Sequence, residues 1–100
     1  EARGVVLPMN VDYESLEDDV ANGLFRESLR EELLLGFRQI HNSGERLPLA
    51  SYYAAQIAGI VNRGAAEPLD KDLAFHLYQE ILLAVEAARA DVLGEERLVT

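Results

Sequence analysis

Apolar residues recur at intervals of three and four along most of this chain, and short runs with glycine or proline interrupt the pattern. Such intervals place side chains on one side of an α-helix, whereas a half-buried strand needs strict alternation. The interruptions are Asn22-Gly23, Asn42-Ser43-Gly44 and the stretch from Gly64 to Pro68. The pattern predicts an all-α fold, a small antiparallel bundle of about four helices joined by short connections.

Local signals give approximate bounds for these helices. The predicted ranges are residues 15–21, 24–41, 49–62 and 71–93. Ser15 and Asp18 have the spacing of a capping box at the start of the first helix. Pro48 suits the first position of the third helix, where its missing N–H would have had no partner. Asp70 is the expected N-cap of the fourth helix, and Gly94 is expected to terminate it.

The direction of the apolar stripe changes between the first two helices. At about 100° per residue, Leu16 and Val20 point roughly half a turn away from the stripe that begins at Phe25. A glycine inside a helix costs up to about 1 kcal/mol relative to alanine. We therefore predict a break at Gly23, and we expect Gly44 to take the left-handed conformation after the second helix.

The third segment is apolar on nearly all sides. Its small residues repeat every four positions, as Ala54 and Ala58 and again as Ala55 and Gly59. Small side chains at this spacing let a neighbouring backbone approach closely. The third helix is therefore predicted to be the central one.

The two ends of the chain lack a helical pattern. Pro8 forbids a helix interior and biases Leu7 toward an extended conformation, so residues 1–11 are predicted to form an extended arm. Residues 95–100 are predicted to be a loose tail. Since 100 residues can enclose one core but not two, residues 1–100 are expected to form a single domain.

Composition excludes several functional classes. Nine basic residues against eighteen acidic ones give a net charge of −9, which repels a nucleic-acid backbone. The longest uncharged run, residues 47–62, is shorter than the roughly 20 apolar residues that cross a bilayer, so no membrane association is expected. Without cysteine there are no disulfides or thiolate ligands, and a cytoplasmic location is the default expectation.

One row of side chains has the spacing of a possible metal or acid–base site. Asp72, His76 and Glu80 follow one another every four residues, on one side of the fourth helix. A catalytic metal would need further ligands from a facing helix, and no such motif is present. The row is therefore interpreted as solvated helix surface, with no metal and no cofactor. Enzyme chemistry has no positive support, because no phosphate loop, nucleophile elbow or zinc-protease motif occurs.

Charged residues form two further groups. Five acids and no base lie within eight residues, namely Asp12, Glu14, Glu17, Asp18 and Asp19. They indicate either a favourable charge at a helix N-terminus or a surface for a basic partner. Arg26, Arg30 and Arg38 of the second helix could grip an anionic substrate. Because Glu27, Glu31 and Glu32 lie on the same helix, the arginines are interpreted instead as part of a mosaic of surface charge. His41 is interpreted as a cation favoured by a helix C-terminus.

Some apolar residues lie outside the predicted core stripes. On the second helix these are Leu24, Leu34 and Leu35, and Leu83 interrupts the polar side of the fourth helix. These four leucines are predicted to belong to an interface with a partner. If the first helix covers Leu24 and Leu35, Leu34 is the residue of the second helix that is left for that partner. The predicted interface adds the apolar residues of the arm, Val5, Val6, Leu7 and Met9.

Two functional hypotheses follow from these residues. The first is a structural or regulatory protein–protein interaction module that binds itself as a homodimer, or binds another protein. The alternative is a small helical enzyme or ligand-binding protein, with a pocket between helices lined by Tyr52 and Tyr53. No catalytic residue is predicted for it.

Overall fold

The computed structural model describes the backbone of residues 11–99 and the side chains of residues 11–94. It contains α1 (Leu16–Asn22), α2 (Leu24–Asn42), α3 (Ala50–Gly64) and α4 (Lys71–Val99). No strand occurs within residues 11–99. The prediction of an all-α bundle of about four helices is confirmed. Most of the predicted arm, residues 1–10, lies outside the described residues, and Val11 packs against the core.

α4 is the centre of the bundle, because it contacts α1, α2 and α3. Its inward side is fully buried at Leu77, Ile81 and Val85, each 0% exposed. The other three helices therefore all pack on α4, with α1 and α2 on one part of its surface and α3 on another.

The prediction that α3 is central is wrong. α3 buries a single stripe made of Ala54, Ile57, Ala58 and Val61. Its other side is open, and Tyr52 is 61% exposed. The physical reason is that much of the apolar character of α3 comes from alanine. The gain from burial scales with apolar area, so an exposed alanine loses little.

The break between α1 and α2 is confirmed. Gly23 has φ of 79°, in the left-handed region, and its N–H donates to the Val20 carbonyl at 3.3 Å. This turn reorients the chain, so that Leu16 and Val20 face the same core as Phe25. Gly44 also has a positive φ, of 85°, as predicted.

The predicted capping box of α1 is wrong. The Ser15 hydroxyl donates to Asp19 Oδ2 at 2.9 Å, and no side chain caps the N-terminus of α1. The backbone of Ser15, with φ of −104° and ψ of 6°, is not in the extended region that a capping residue normally adopts.

The start of α3 also differs from the prediction. Leu49 is the N-cap and α3 begins at Ala50, so Pro48 lies before the helix. The Pro48 carbonyl accepts a hydrogen bond from Arg89 Nε at 2.8 Å, which ties this connection to α4.

α4 begins as predicted but extends further. The Asp70 carboxylate accepts the Asp72 N–H at 3.0 Å, which confirms the predicted N-cap. The helix passes through Gly94 and ends at Val99, so the predicted end at residue 93 is wrong, and the predicted loose tail is wrong for residues 95–99. A terminating glycine usually takes a positive φ, which Gly94 does not have. An isolated glycine costs only about 1 kcal/mol in a helix that can otherwise continue.

None of the helices in residues 11–99 combines the length and the apolar composition needed to cross a membrane.

Candidate functional site

Three large apolar side chains of the predicted interface are exposed on α2 and α4. Leu24 is 53% exposed, Leu35 is 58% exposed and Leu83 is 47% exposed. α1 does not cover Leu24 and Leu35, so the condition that would leave only Leu34 of α2 for a partner is not met. Leu34 is instead partly buried and packs against the core, because it lies one turn before Phe37 on the flank of the buried side of α2.

The exposed leucines of α2 lie on one side of that helix. Leu24 and Leu35 are about three turns apart, and Ser28 and Glu31 lie between them at intervals of three and four. Both intervening residues are exposed. We call these four residues the α2 stripe.

A groove between α2 and α4 borders this stripe. It has a volume of about 550 Å³ and is lined by Arg26, Glu27, Arg30, Glu31, Leu83 and Ala87. Glu31 belongs both to the groove lining and to the α2 stripe, so the groove that contains Leu83 adjoins the stripe.

Two arginines of α2 bridge to α4. Arg26 Nη1 lies 3.0 Å from Glu80 Oε1 and 3.3 Å from Glu80 Oε2, and Arg30 Nη1 lies 2.7 Å from Asp91 Oδ2. The sequence indicated surface charge at these positions but not these partners, which lie 54 and 61 residues away in the chain. A long guanidinium side chain reaches the facing helix, where each carboxylate accepts a charge-assisted hydrogen bond.

The row of Asp72, His76 and Glu80 is not a uniform surface. Asp72 and His76 are exposed as predicted, but Glu80 is only 7% exposed, so the surface prediction is wrong for this residue. Arg26 neutralises the buried carboxylate, and His76 Nε2 lies 3.9 Å from Glu80 Oε2. Within the described side chains, no three histidine, aspartate or glutamate residues are placed to share a metal ion.

Tyr52 and Tyr53 lie in different surroundings. Tyr53 packs edge-on against Phe37, with ring centroids 5.6 Å apart and planes at 63°, and burial raises the pKa of its phenol above 10.0. Tyr52 points away into solvent. Neighbours in the chain point about 100° apart on a helix, which separates the two rings.

A cleft that the sequence did not predict lies between the α2–α3 connection and the C-terminal half of α4. It has a volume of about 640 Å³, and its lining includes His41, Arg46, Leu47, Leu49, Arg89 and Leu93. The signal in the sequence is weak, because Arg89 lies more than forty residues after Arg46 and the pairing depends on tertiary structure.

The acidic run before and within α1 is used partly for local hydrogen bonds. Asp12 Oδ1 accepts the Glu14 N–H at 3.1 Å, and Asp19 accepts the Ser15 hydroxyl. Glu17 and Asp18 are exposed in the first turn of α1, where negative charge is favourable.

The remaining predicted interface residues, Val5, Val6, Leu7 and Met9, lie outside the described residues. No protein-family model matches the chain, and no curated protein and no solved structure matches it either.

Proposed function

We propose that this chain is a structural or regulatory protein–protein interaction module that forms a homodimer through the α2 stripe and Leu83. The supporting observation is the exposure of Leu24, Leu35 and Leu83 on adjoining surfaces of α2 and α4. Contiguous exposed apolar surface is typical of interfaces.

The order of residues in the α2 stripe favours a second copy as the partner. If two α2 helices pack antiparallel about a two-fold axis, Leu24 meets the partner's Leu35 at both ends of the contact. Ser28 then lies opposite the partner's Glu31, and its hydroxyl can donate to that carboxylate. The stripe is thus self-complementary in both its apolar and its polar positions.

The charges beside the stripe predict how the dimer responds to salt. Glu27 and Glu31 line the groove, whereas Arg26 and Arg30 are already paired with α4 carboxylates. Two copies therefore approach with acidic edges, in a protein whose net charge is −9. Salt screens such repulsion, with a screening length of about 10 Å at 0.1 M, so self-association should strengthen as salt is added.

Sedimentation equilibrium over a range of concentrations tests the proposal. The wild-type chain is expected to move from 11.1 kDa toward twice that mass as concentration rises. Leu35→Glu should keep the protein monomeric, because it would bury an unpaired carboxylate against the partner's Leu24. Leu49→Glu is the matched control, since it makes the same change at a leucine that is 69% exposed outside the stripe.

Three outcomes contradict the proposal or a part of it. A wild-type chain that stays at 11.1 kDa at every concentration excludes the homodimer. A Leu35→Glu variant that dimerises as well as Leu49→Glu places the interface elsewhere. Association that weakens with added salt contradicts the acidic edges and indicates a contact dominated by opposite charges.

A further inference from the structure

The cleft between the α2–α3 connection and α4 shares none of its lining residues with the α2 stripe or the α2–α4 groove. Its volume, about 640 Å³, falls within the range of roughly 300–1,000 Å³ that is typical of small-molecule sites. The cleft is therefore large enough for a small ligand. Binding there would not depend on the proposed dimer.

The described lining of this cleft contains more arginines than acids, in contrast to the chain as a whole. Arg46, Arg89 and His41 line it, and Glu45 is the one acid in its described lining. The chain as a whole has nine basic and eighteen acidic residues. A local excess of cationic groups in a concave site favours an anion despite the negative average field.

Arg89 is held in place by the backbone of the connection. Its Nε donates to the Pro48 carbonyl at 2.8 Å, and the side chain is partly buried. A guanidinium has five N–H donors in a planar fork, and this bond uses one of them. Fixing the plane in advance reduces the entropy lost when the fork binds a carboxylate.

The other side chains of the cleft are aliphatic. Leu47, Leu49 and Leu93 line it together with the arginines. Leu49 is 69% exposed at the N-cap of α3, a position that a polar residue normally occupies. An apolar ligand segment would remove this leucine from water.

We infer that this cleft binds a small amphiphilic carboxylate. The carboxylate accepts hydrogen bonds from Arg89 and Arg46. The aliphatic part of the ligand packs on Leu47, Leu49 and Leu93.

A titration with decanoate below its micelle concentration tests this inference, with amide NMR shifts and calorimetry as readouts. Decanoate should shift the amides of residues 46–49 and 89–93. Arg46→Gln should weaken binding about tenfold, as expected for the loss of a charge-assisted hydrogen bond. Arg63→Gln is the matched control, because it makes the same change of charge at an exposed arginine on α3 outside the cleft lining.

Two comparison ligands test separately the contribution of the carboxylate and that of the aliphatic chain. Decanol, which lacks the charge, and citrate, which lacks the aliphatic chain, should both bind at least about tenfold more weakly than decanoate. Decanol binding as tightly as decanoate overturns the role of the arginines. Citrate binding as tightly overturns the role of the leucines.

The variants give the remaining decisive outcomes. An equal loss of affinity in Arg46→Gln and Arg63→Gln shows a response to net charge only and overturns the site. Absence of any shift at millimolar decanoate overturns it as well. Thermal unfolding of each variant, measured without ligand, confirms that the folded protein is being compared.

Discussion

α2 and α3 both pack on α4, but they do so with different side chains. α2 presents large residues, with Phe25, Leu29, Leu33 and Phe37 buried, and adds the ion pairs of Arg26 and Arg30. α3 presents Ala54 and Ala58 together with Ile57 and Val61. We therefore expect the α2–α4 contact to be weakened most by substitutions that remove side-chain volume. The α3–α4 contact should be weakened by substitutions that add volume.

The largest expected effect comes from removing volume on the α2 side. Leu29→Ala should lower the free energy of unfolding by about 2–5 kcal/mol, since Leu29 is 0% exposed and its loss leaves a cavity. Leu35→Ala, on the exposed side of the same helix, should change it by no more than about 0.5 kcal/mol. Urea unfolding measures both. The two predictions apply at a concentration at which the chain is monomeric, and similar losses for both variants there would contradict the exposure of Leu35. A larger loss for Leu35→Ala at high concentration is expected from the proposed dimer.

Adding volume on the α3 side comes next. Ala58→Leu should cost about 1–3 kcal/mol, because Ala58 lies in the buried stripe of α3 and the added atoms must displace neighbours. Ala55→Leu, on the exposed side of α3, provides the control and should be nearly neutral. If Ala58→Leu is as stable as Ala55→Leu in urea, the contact of α3 with α4 is not closely packed.

The smallest expected effects are the losses of stability when the two ion pairs between α2 and α4 are removed. Arg26→Gln should cost about 1 kcal/mol, since it leaves the carboxylate of Glu80, which is 7% exposed, without its charged partner. The cost is limited because the Arg26 side chain is 39% exposed and water can replace it in part.

The companion change, Arg30→Gln, should cost no more than about 0.5 kcal/mol, because both partners of the Arg30–Asp91 pair are exposed. A variant with Arg26→Met and Glu80→Met should recover the stability lost in Arg26→Gln. Chemical denaturation of the three variants measures the free energy of unfolding of each and so ranks the losses. A larger loss for Arg30→Gln than for Arg26→Gln would contradict the role assigned to burial of Glu80.

Much of the fold followed from residue spacing because the signals are local. The break at Gly23 was predictable, since a change of phase of the apolar stripe coincided with a residue that tolerates positive φ. The N-cap at Asp70 was also predictable, because its carboxylate and the N–H that it accepts are only two residues apart. The end of α4 was not, because Gly94 permits either a helix or a terminus and local propensity does not decide between them.

The candidate sites were predictable only in part. Periodicity indicated that Leu24, Leu35 and Leu83 lie off the core stripes, and all three are exposed. It could not indicate that Leu34 packs inward, because a flank position is buried or exposed according to where the neighbouring helix lies. The basic cleft was missed altogether, since its parts come from the α2–α3 connection and from α4.

The sequence by itself determined that this chain forms helices, roughly where they begin and which side of α1, α2 and α4 is apolar, because those properties depend on contacts within a few residues. Only the tertiary structure decided that α4, and not α3, is central, and that Arg26 neutralises Glu80 across 54 positions of sequence. The same holds for Pro48, whose carbonyl meets Arg89 across 41 positions. Such pairings depend on the relative placement of whole helices, which is set by the area and shape of their buried sides and not by local spacing.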